Sequence, residues 1–582
     1  MGTILTLHDP QSARENYLSG VWHQDTLYSL AREHARIRPN ACALRDPYRR
    51  LTWREVLASV DAIAEALYQR GLHRGDRVAI WLPNRVEAVL IFLACSRNGY
   101  VCCPSLHQNY TNAEIVKLLS RIRCKALFAQ PGYGADSDRY SIFEEAAGIA
   151  TMKQLYALMP QGGDQGAPLP QGTLPFPDHA AGLGITSAPV VDPDKVVYLA
   201  FTSGTTGEPK GVMHSDNTLL ANGRALVTDW KHDSSTILLA LSPMSHHIGT
   251  VALEQSLVAG MELVLHNPAA SRSALDWALE SGATYVMGVP THGMDMLSAL
   301  RERGLSRLGN VNVFYMAGAP IPREVAKRFL DLGVKPQNVY GMTENGSHQY
   351  TLPSDDSNTI VSTCGRACKG YEIRIFRQDN PDVEAAPGET GEIGGKGGVL
   401  TLGYYDNQDA TENSFNASGW FLSGDLGMLD ENGCLHVIGR KKDLIIRGGH
   451  NIYPSQIEDL AHRHPSILKS AAFPVPDDRL GEKVCLAVIC APGEPLNAAQ
   501  VLQHLHDAGL SKYDMPEYFI AMDTFPLTPS GKILKRELVV WLKEGRIKPE
   551  AVRWKAGSTS TNEGVSACRY CPNSTASSPI SR

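Results

Sequence analysis

Residues 55–68, EVLASVDAIAEALY, carry apolar side chains at helical spacing and predict a helix with one buried face. Gly75-Asp76 turns the chain into residues 77–82, RVAIWL, which predict a buried strand. The alternation repeats with an apolar helix over 87–95, a short strand over 100–104, a helix over 112–120 and a strand over 126–129. Strands alternating with helices predict parallel α/β layers. Residues 160–189 are rich in Gly and Pro and read as a surface loop. The α/β alternation resumes and runs to residue 380. Residues 389–439 then change to short strands separated by glycine turns. After Lys442 the pattern predicts a small α+β domain: a strand at 444–446, a helix at 454–462, strands at 471–475 and 484–490, and a helix at 498–508. From Gly557 the chain reads GSTSTNEGVSACRYCPNSTASSPISR, too poor in apolar residues to build a core.

The 582 residues are 43% hydrophobic and 20% charged, which excludes wholesale disorder and favours more than one domain. With 61 acidic against 55 basic residues, a formal charge of −6, no basic excess is present to hold a phosphate backbone. Nucleic acid is therefore not an expected partner. No run reaches the roughly 18 apolar residues that span a bilayer. The best candidate, 88–95, is stopped by Arg97 and Asn98, so stable membrane insertion is not expected. The 12 cysteines are scattered and do not form a dense disulfide framework. Cys568 and Cys571 make a C-x-x-C with no second pair to complete a zinc site. No secretory signal follows Met1, and Ile580-Ser581-Arg582 matches no common peroxisomal tripeptide. The expected compartment is the cytoplasm.

The densest chemical signal is residues 196–211, VVYLAFTSGTTGEPKG. An apolar strand leads straight into Thr202-Ser203-Gly204-Thr205-Thr206-Gly207. Glycines let a backbone approach phosphate closely, the hydroxyls supply donors, and Lys210 adds a point charge. The spacing is not that of a Walker loop, so Walker-type phosphoryl transfer loses its support.

Residues 202–211 resemble the signature of the AMP-forming adenylating superfamily, which holds acyl-CoA synthetases, peptide-synthetase adenylation domains and luciferases. Further segments resemble that family in its own order. Pro243-Met-Ser-His-His-Ile-Gly249 is similar to the acyl-pocket motif and Ala317-Gly-Ala-Pro320 to the adenine loop. Tyr340-Gly-Met-Thr-Glu344 is similar to the aromatic-Gly-x-Thr-Glu motif, and Ser423-Gly-Asp425 to the ribose aspartate motif. Gly439-Arg-Lys-Lys-Asp443 is similar to the hinge and Leu527-Thr-Pro-Ser-Gly-Lys532 to the C-terminal lysine loop.

The resemblance implies a large domain of layered parallel α/β sheets with a β-barrel-like subdomain over 1–440, a hinge at 441–443 centred on Lys442, a small α+β domain over 444–556, and a disordered tail over 557–582. It implies ATP, Mg²⁺ and coenzyme A as co-substrates and cofactor. Nucleotide contacts fall on residues 202–207, Lys210, Gly318, Ala319, Pro320, Tyr340, Gly341, Met342, Thr343, Asp425, Arg440 and Lys532. Tyr340 offers a face for adenine with no side chain at Gly341 to block it. Thr343 gives a hydroxyl to the α-phosphate and Glu344 a hard oxygen to magnesium. Asp425, read as held on a turn, accepts the ribose hydroxyls, and Arg440 is the second ribose contact. Lys532 bridges the acid's carboxylate and the α-phosphate, where charge must be neutralised. Gly448-Gly449 and His450 lie where the family binds the pantetheine arm. His450 stands where many relatives carry Glu, and Asp514 where they carry Lys.

The partner implied is a small carboxylic acid. His246 matches the family's gate residue, and the acyl pocket falls on His246, Ile248, Met287, Val289, His292, Met316, Gly318 and Gly341. The Asp that binds an amine in amino-acid-activating relatives is absent from this stretch. A hydrophobic acid, medium-chain or aryl, is the expected substrate, activated as acyl-AMP and transferred to CoA. Two alternatives remain at this point: loading of a separate carrier-protein thiol, and an inactive relative serving as a binding module.

Overall fold

A computed structural model describes residues 4–554 except 165, 178–183, 203–208, 269, 320, 492 and 528–532. The expected disordered tail, with Cys568 and Cys571, lies outside the described residues.

The chain divides into two compact units. The larger takes in Met1–Leu444, Tyr453–Asp459 and Phe525–Lys535, and the smaller Ile445–Ile452, Leu460–Thr524 and Arg536–Arg582.

The larger unit contains two largely parallel sheets. One runs Leu174–Pro175, Gln154–Ala157, Ala126–Ala129, Arg77–Trp81, Val101–Cys103, Val196–Thr202 and Lys210–Ser215, with only the last pair antiparallel. The other is nine-stranded, with Val313–Ala317, Tyr285–Gly288 and Ile237–Ala240 at its parallel centre and Lys335–Met342 beside Gly346–Tyr350 toward one edge. Helices Val86–Asn98, Asp216–Trp230 and His247–Ala259 belong to one apolar core with side chains of both sheets. That position explains why Val86–Asn98 is apolar on every side from Ala88 to Cys95 and buried at every residue. Gly99, at φ +71°, stops it in the left-handed conformation that ends many helices. The outer face of each sheet packs its own second core. The expected surface loop at 160–189 is anchored within its length: Leu174–Pro175 pairs with the seven-stranded sheet, and Phe176 meets Phe128 edge to face.

The glycine-rich segment forms an antiparallel meander of Tyr371–Phe376, Gly391–Gly397, Phe421–Leu429 and Leu435–Arg440. Its strands pair in chain order, with no closing pair between first and last among the described residues to make a barrel.

In the smaller unit Ile467–Asp477 pairs along its length with Gly481–Cys490 and, among the described residues, on that side alone, so Pro474 and Pro476 sit on an edge. Gly448 and Gly449, at φ +57° and +85°, make the two-residue turn between Ile445–Arg447 and His450–Ile452.

Glu254, on His247–Ala259, is buried with both carboxyl oxygens lacking a hydrogen-bond partner among the described residues. Burial raises its carboxyl well above the ordinary range. An acid held protonated by the fold costs stability as pH rises above its unfolded value of about 4.3. Glu254→Leu should therefore stabilise the chain by about 1–3 kcal/mol at pH 8, and by less at pH 5. Melting temperatures of the two proteins at both pH values check this, and a lower Tm for the variant at both would refute it.

Candidate active site

Strand Val196–Thr202 and strand Lys210–Ser215 are antiparallel neighbours, and Thr202 pairs with Lys210. The loop they close, with Ser203, Gly204, Thr205, Thr206 and Gly207, lies outside the described residues, as do Pro320 and Lys532. Lys210 Nζ stands 4.5 Å from the centroid of the Tyr404 ring. Burial holds its ammonium below the ordinary lysine value, against the attraction of Glu344.

Tyr340, Gly341 and Met342 end strand Lys335–Met342. A Cβ on Gly341 would lie 1.8 Å from the Gly346 carbonyl oxygen. Glycine is thus required by the close return of the next strand, in addition to any room it leaves for adenine. The Tyr340 hydroxyl donates to Asp425 Oδ2 at 2.9 Å, and its ring meets His348 edge-on.

The turn after Tyr340 is pinned at each residue. Asn345 Oδ1 accepts from Met342 N at 3.0 Å. His214 Nε2 lies 2.7 Å from the Thr343 carbonyl. A carbonyl only accepts, so Nε2 carries the proton. Burial lowers the His214 pKa to about 4, so the ring is neutral and Nδ1 is left to accept from the Thr218 hydroxyl at 3.0 Å. Thr401 N donates to the Glu344 carbonyl at 2.7 Å, and the Tyr404 hydroxyl donates to Glu344 Oε1 at 2.9 Å. Burial pushes the Glu344 carboxyl up, while the Tyr404 bond and Lys210 favour its charged form.

Asp425 accepts from Tyr340 but is not a turn residue. It lies on strand Phe421–Leu429 and pairs with Arg440 on the next strand, Nε to Oδ1 3.2 Å. Gly424, at φ +74°, gives the bent backbone that the sequence suggested as a turn. Lys442 sits in the 3₁₀ turn Lys441–Asp443, and Lys441 Nζ reaches Glu392 at 2.7 Å.

His246 caps helix His247–Ala259, its Nδ1 accepting from Ile248 N at 3.3 Å. Ile248 and Met287 are buried in the central core, with Val289 packed against it. Met316 does not join them. It packs with Met296 and Phe329 on the opposite face of its sheet, while Tyr315 and Ala317 share the face of Met287. Strand side chains alternate, so the neighbours of Met316 are the ones turned toward Met287. His292 bends back over the start of its own helix, where Val289 N donates to its Nδ1 at 3.3 Å. Gly318, at φ +87°, and exposed Ala319 follow the strand Val313–Ala317. In the smaller unit His450 Nε2 meets Asp514 Oδ1 at 2.7 Å, so the two positions that differ from many relatives form a pair.

Sequence reasoning missed Tyr404, His214, Asn345 and Thr401. Tyr404 follows a glycine in a glycine-rich stretch, but nothing local points to its partner 60 residues away.

No group of three or more metal-ligating side chains occurs among the described residues. A site with one hard carboxylate, Glu344, beside Lys210 suits a Mg²⁺ that takes most of its ligands from phosphates and water. No helix among the described residues is long and apolar enough to cross a membrane.

These features define a class of nucleotide-binding enzymes, and comparison with known proteins gives the family. The model for AMP-binding enzymes matches residues 31–405, and that for the AMP-binding enzyme C-terminal domain matches 456–532. The chain belongs to the AMP-binding enzyme family. The medium-chain fatty-acid–CoA ligase of Escherichia coli K12 is 29% identical over 543 residues, covering 92% of this chain and 93% of that protein. The 2-hydroxy-7-methoxy-5-methyl-1-naphthoate–CoA ligase of Streptomyces carzinostaticus is 30% identical, covering 89% and 94%. The ATP-bound MatB structure from Rhodopseudomonas palustris superposes with a TM-score of 0.78 at 29% identity, covering 89% of this chain and 99% of that one.

Proposed function

We propose that this protein is an ATP-dependent acyl-CoA ligase for a hydrophobic carboxylic acid, medium-chain aliphatic or aryl. The observation that carries the proposal is the meeting of Lys210, Glu344 and Tyr404, with the Asp425–Arg440 pair bound through Tyr340 to the strand that leads into the Glu344 turn. It gives cationic and anionic groups for a metal-bound triphosphate and a carboxylate for ribose hydroxyls. Relatives acting on a medium-chain fatty acid and on a naphthoate support the acid class.

In the first step a carboxylate oxygen of the acid attacks the α-phosphorus, and the bond from that phosphorus to the bridging oxygen breaks to release pyrophosphate. In the second, the CoA sulfur attacks the acyl carbon, and the bond to the AMP oxygen breaks. Residues 202–207 and Lys210 would hold the phosphates, Gly318, Ala319, Pro320, Tyr340, Gly341 and Met342 the adenine, and Asp425 with Arg440 the ribose. Thr343 would donate to the α-phosphate and Lys532 would neutralise charge between it and the acid. Glu344 would hold Mg²⁺, which when bound supplies compensation for the triphosphate charge. His246, Ile248, Met287, Val289, His292, Gly318 and Gly341 would face the acyl group. Gly448-Gly449 and His450 would pass the pantetheine arm. The nucleotide domain in this proposal is 1–440, the hinge 441–443 and the C-terminal domain 444–556.

Incubation with ATP, CoA and a panel of medium-chain and aryl acids, read by mass spectrometry, tests it. AMP and acyl-CoA should appear in equal amounts with at least one acid. Acid-dependent ADP and phosphate, or AMP with no thioester, would reject it.

A further inference from the structure

We propose that Tyr404 is a positioning residue that sets Glu344 and Lys210 in one arrangement for a magnesium-bound nucleotide. The inference rests on the assignment of those two groups to metal and phosphate above. Lys210 comes from a strand of the seven-stranded sheet and Glu344 from a turn between two strands of the nine-stranded one, and the buried Tyr404 side chain touches both. The Tyr404 hydroxyl donates to Glu344 Oε1 at 2.9 Å, and its ring face receives the Lys210 ammonium at 4.5 Å from the centroid.

The ring is placed by main-chain bonds to the strand that carries the lysine. Tyr405 N donates to the Gly211 carbonyl at 2.7 Å, and Tyr404 itself bridges Val212. Tyr404 N is held by Thr411 Oγ1 at 3.0 Å. On the carboxylate's side, Thr401 N holds the Glu344 carbonyl at 2.7 Å. A buried carboxylate turns toward its best donor, and here that donor meets Oε1. The ring face attracts the ammonium by its quadrupole. Phenylalanine would keep the second contact and lose the first, so the two contributions separate by substitution.

A tyrosine that only fills the core would affect melting temperature and leave metal dependence alone. The test is calorimetric ATP affinity with Mg²⁺ and with EDTA, for the full chain, Tyr404→Phe, Tyr404→Leu and Glu344→Gln, with Tm recorded for each. Tyr404→Phe should lower the Mg²⁺ enhancement of ATP affinity about tenfold, the size of one hydrogen bond to a charged group. Its affinity in EDTA should stay within about twofold. Tyr404→Leu should weaken binding in both conditions, because the lysine contact goes too. Adding Tyr404→Phe to Glu344→Gln should cost nothing further, since the two act on one interaction. A wild-type enhancement that Tyr404→Phe leaves intact overturns the role of Tyr404 alone. A wild type with no Mg²⁺ enhancement overturns the assignment of Glu344 and this inference with it.

Discussion

Lys532→Ala is expected to slow acid-dependent pyrophosphate release by about 10²–10³-fold, the loss typical of one charged or polar group aimed at developing charge. The first step brings a carboxylate to a triphosphate, and both are anions. Magnesium bound at Glu344 would offset charge at the phosphates, leaving the attacking carboxylate to be balanced near the α-phosphorus. Lys532, at the end of Thr528-Pro529-Ser530-Gly531, is the group assigned to that task. In the second step the carboxylate is already esterified to AMP and neutral at carbon, so the same cation has less to do. Thioester formation from preformed acyl-AMP should fall far less. Pyrophosphate release and acyl transfer, measured separately on the variant, decide the matter, and equal losses in both would refute the assignment.

Lys442→Pro is expected to slow thioester formation at least about tenfold, near 1.4 kcal/mol on that barrier, with adenylation close to wild type. Lys442 lies in the 3₁₀ turn Lys441–Asp443, directly before the unit boundary at Leu444. A 3₁₀ residue has a φ near the value proline imposes, so the substitution holds this backbone course. The proposal assigns Lys532 to the first step and Gly448-Gly449 to the second, and both follow Lys442 in the chain. A hinge that must take a new φ between the steps is blocked by proline, and the step that needs the change suffers. Equal effects on both half-reactions, or none, would show Lys442 to be an ordinary exposed lysine.

Much of the fold was legible because its strands are buried on both faces and read as plain apolar runs between helices. Residues 126–129 match the strand observed, and the helix expected at 112–120 extends one residue further. The strand at 471–475 proved much longer, Ile467–Asp477, because edge pairing tolerates the prolines that shortened the expectation. Tyr518–Ala521 and Lys535–Lys543 were missed: the first is a strand of only four residues, and the second comes soon after a Pro-Ser-Gly sequence that hides its start from a periodicity reading.

The site was legible where its chemistry is contiguous, as in Tyr340-Gly-Met-Thr-Glu344. It was illegible where chemistry is assembled across the chain. Tyr404 and His214 touch the 343–344 turn from distant segments, and no spacing rule connects them. Met316 failed for a different reason: its residue type suits a pocket wall, but strand alternation turns it to the other face.

The central claim, that the acid's own carboxylate attacks the α-phosphorus, is tested most directly by oxygen transfer. An accepted acid labelled with ¹⁸O in both carboxylate oxygens is turned over with unlabelled ATP and CoA, and the products are weighed by mass spectrometry. Attack at the α-phosphorus leaves one labelled oxygen in AMP and none in pyrophosphate. Label in inorganic phosphate, with ADP as the nucleotide product and no labelled AMP, would mean attack at the γ-phosphorus and would contradict the account.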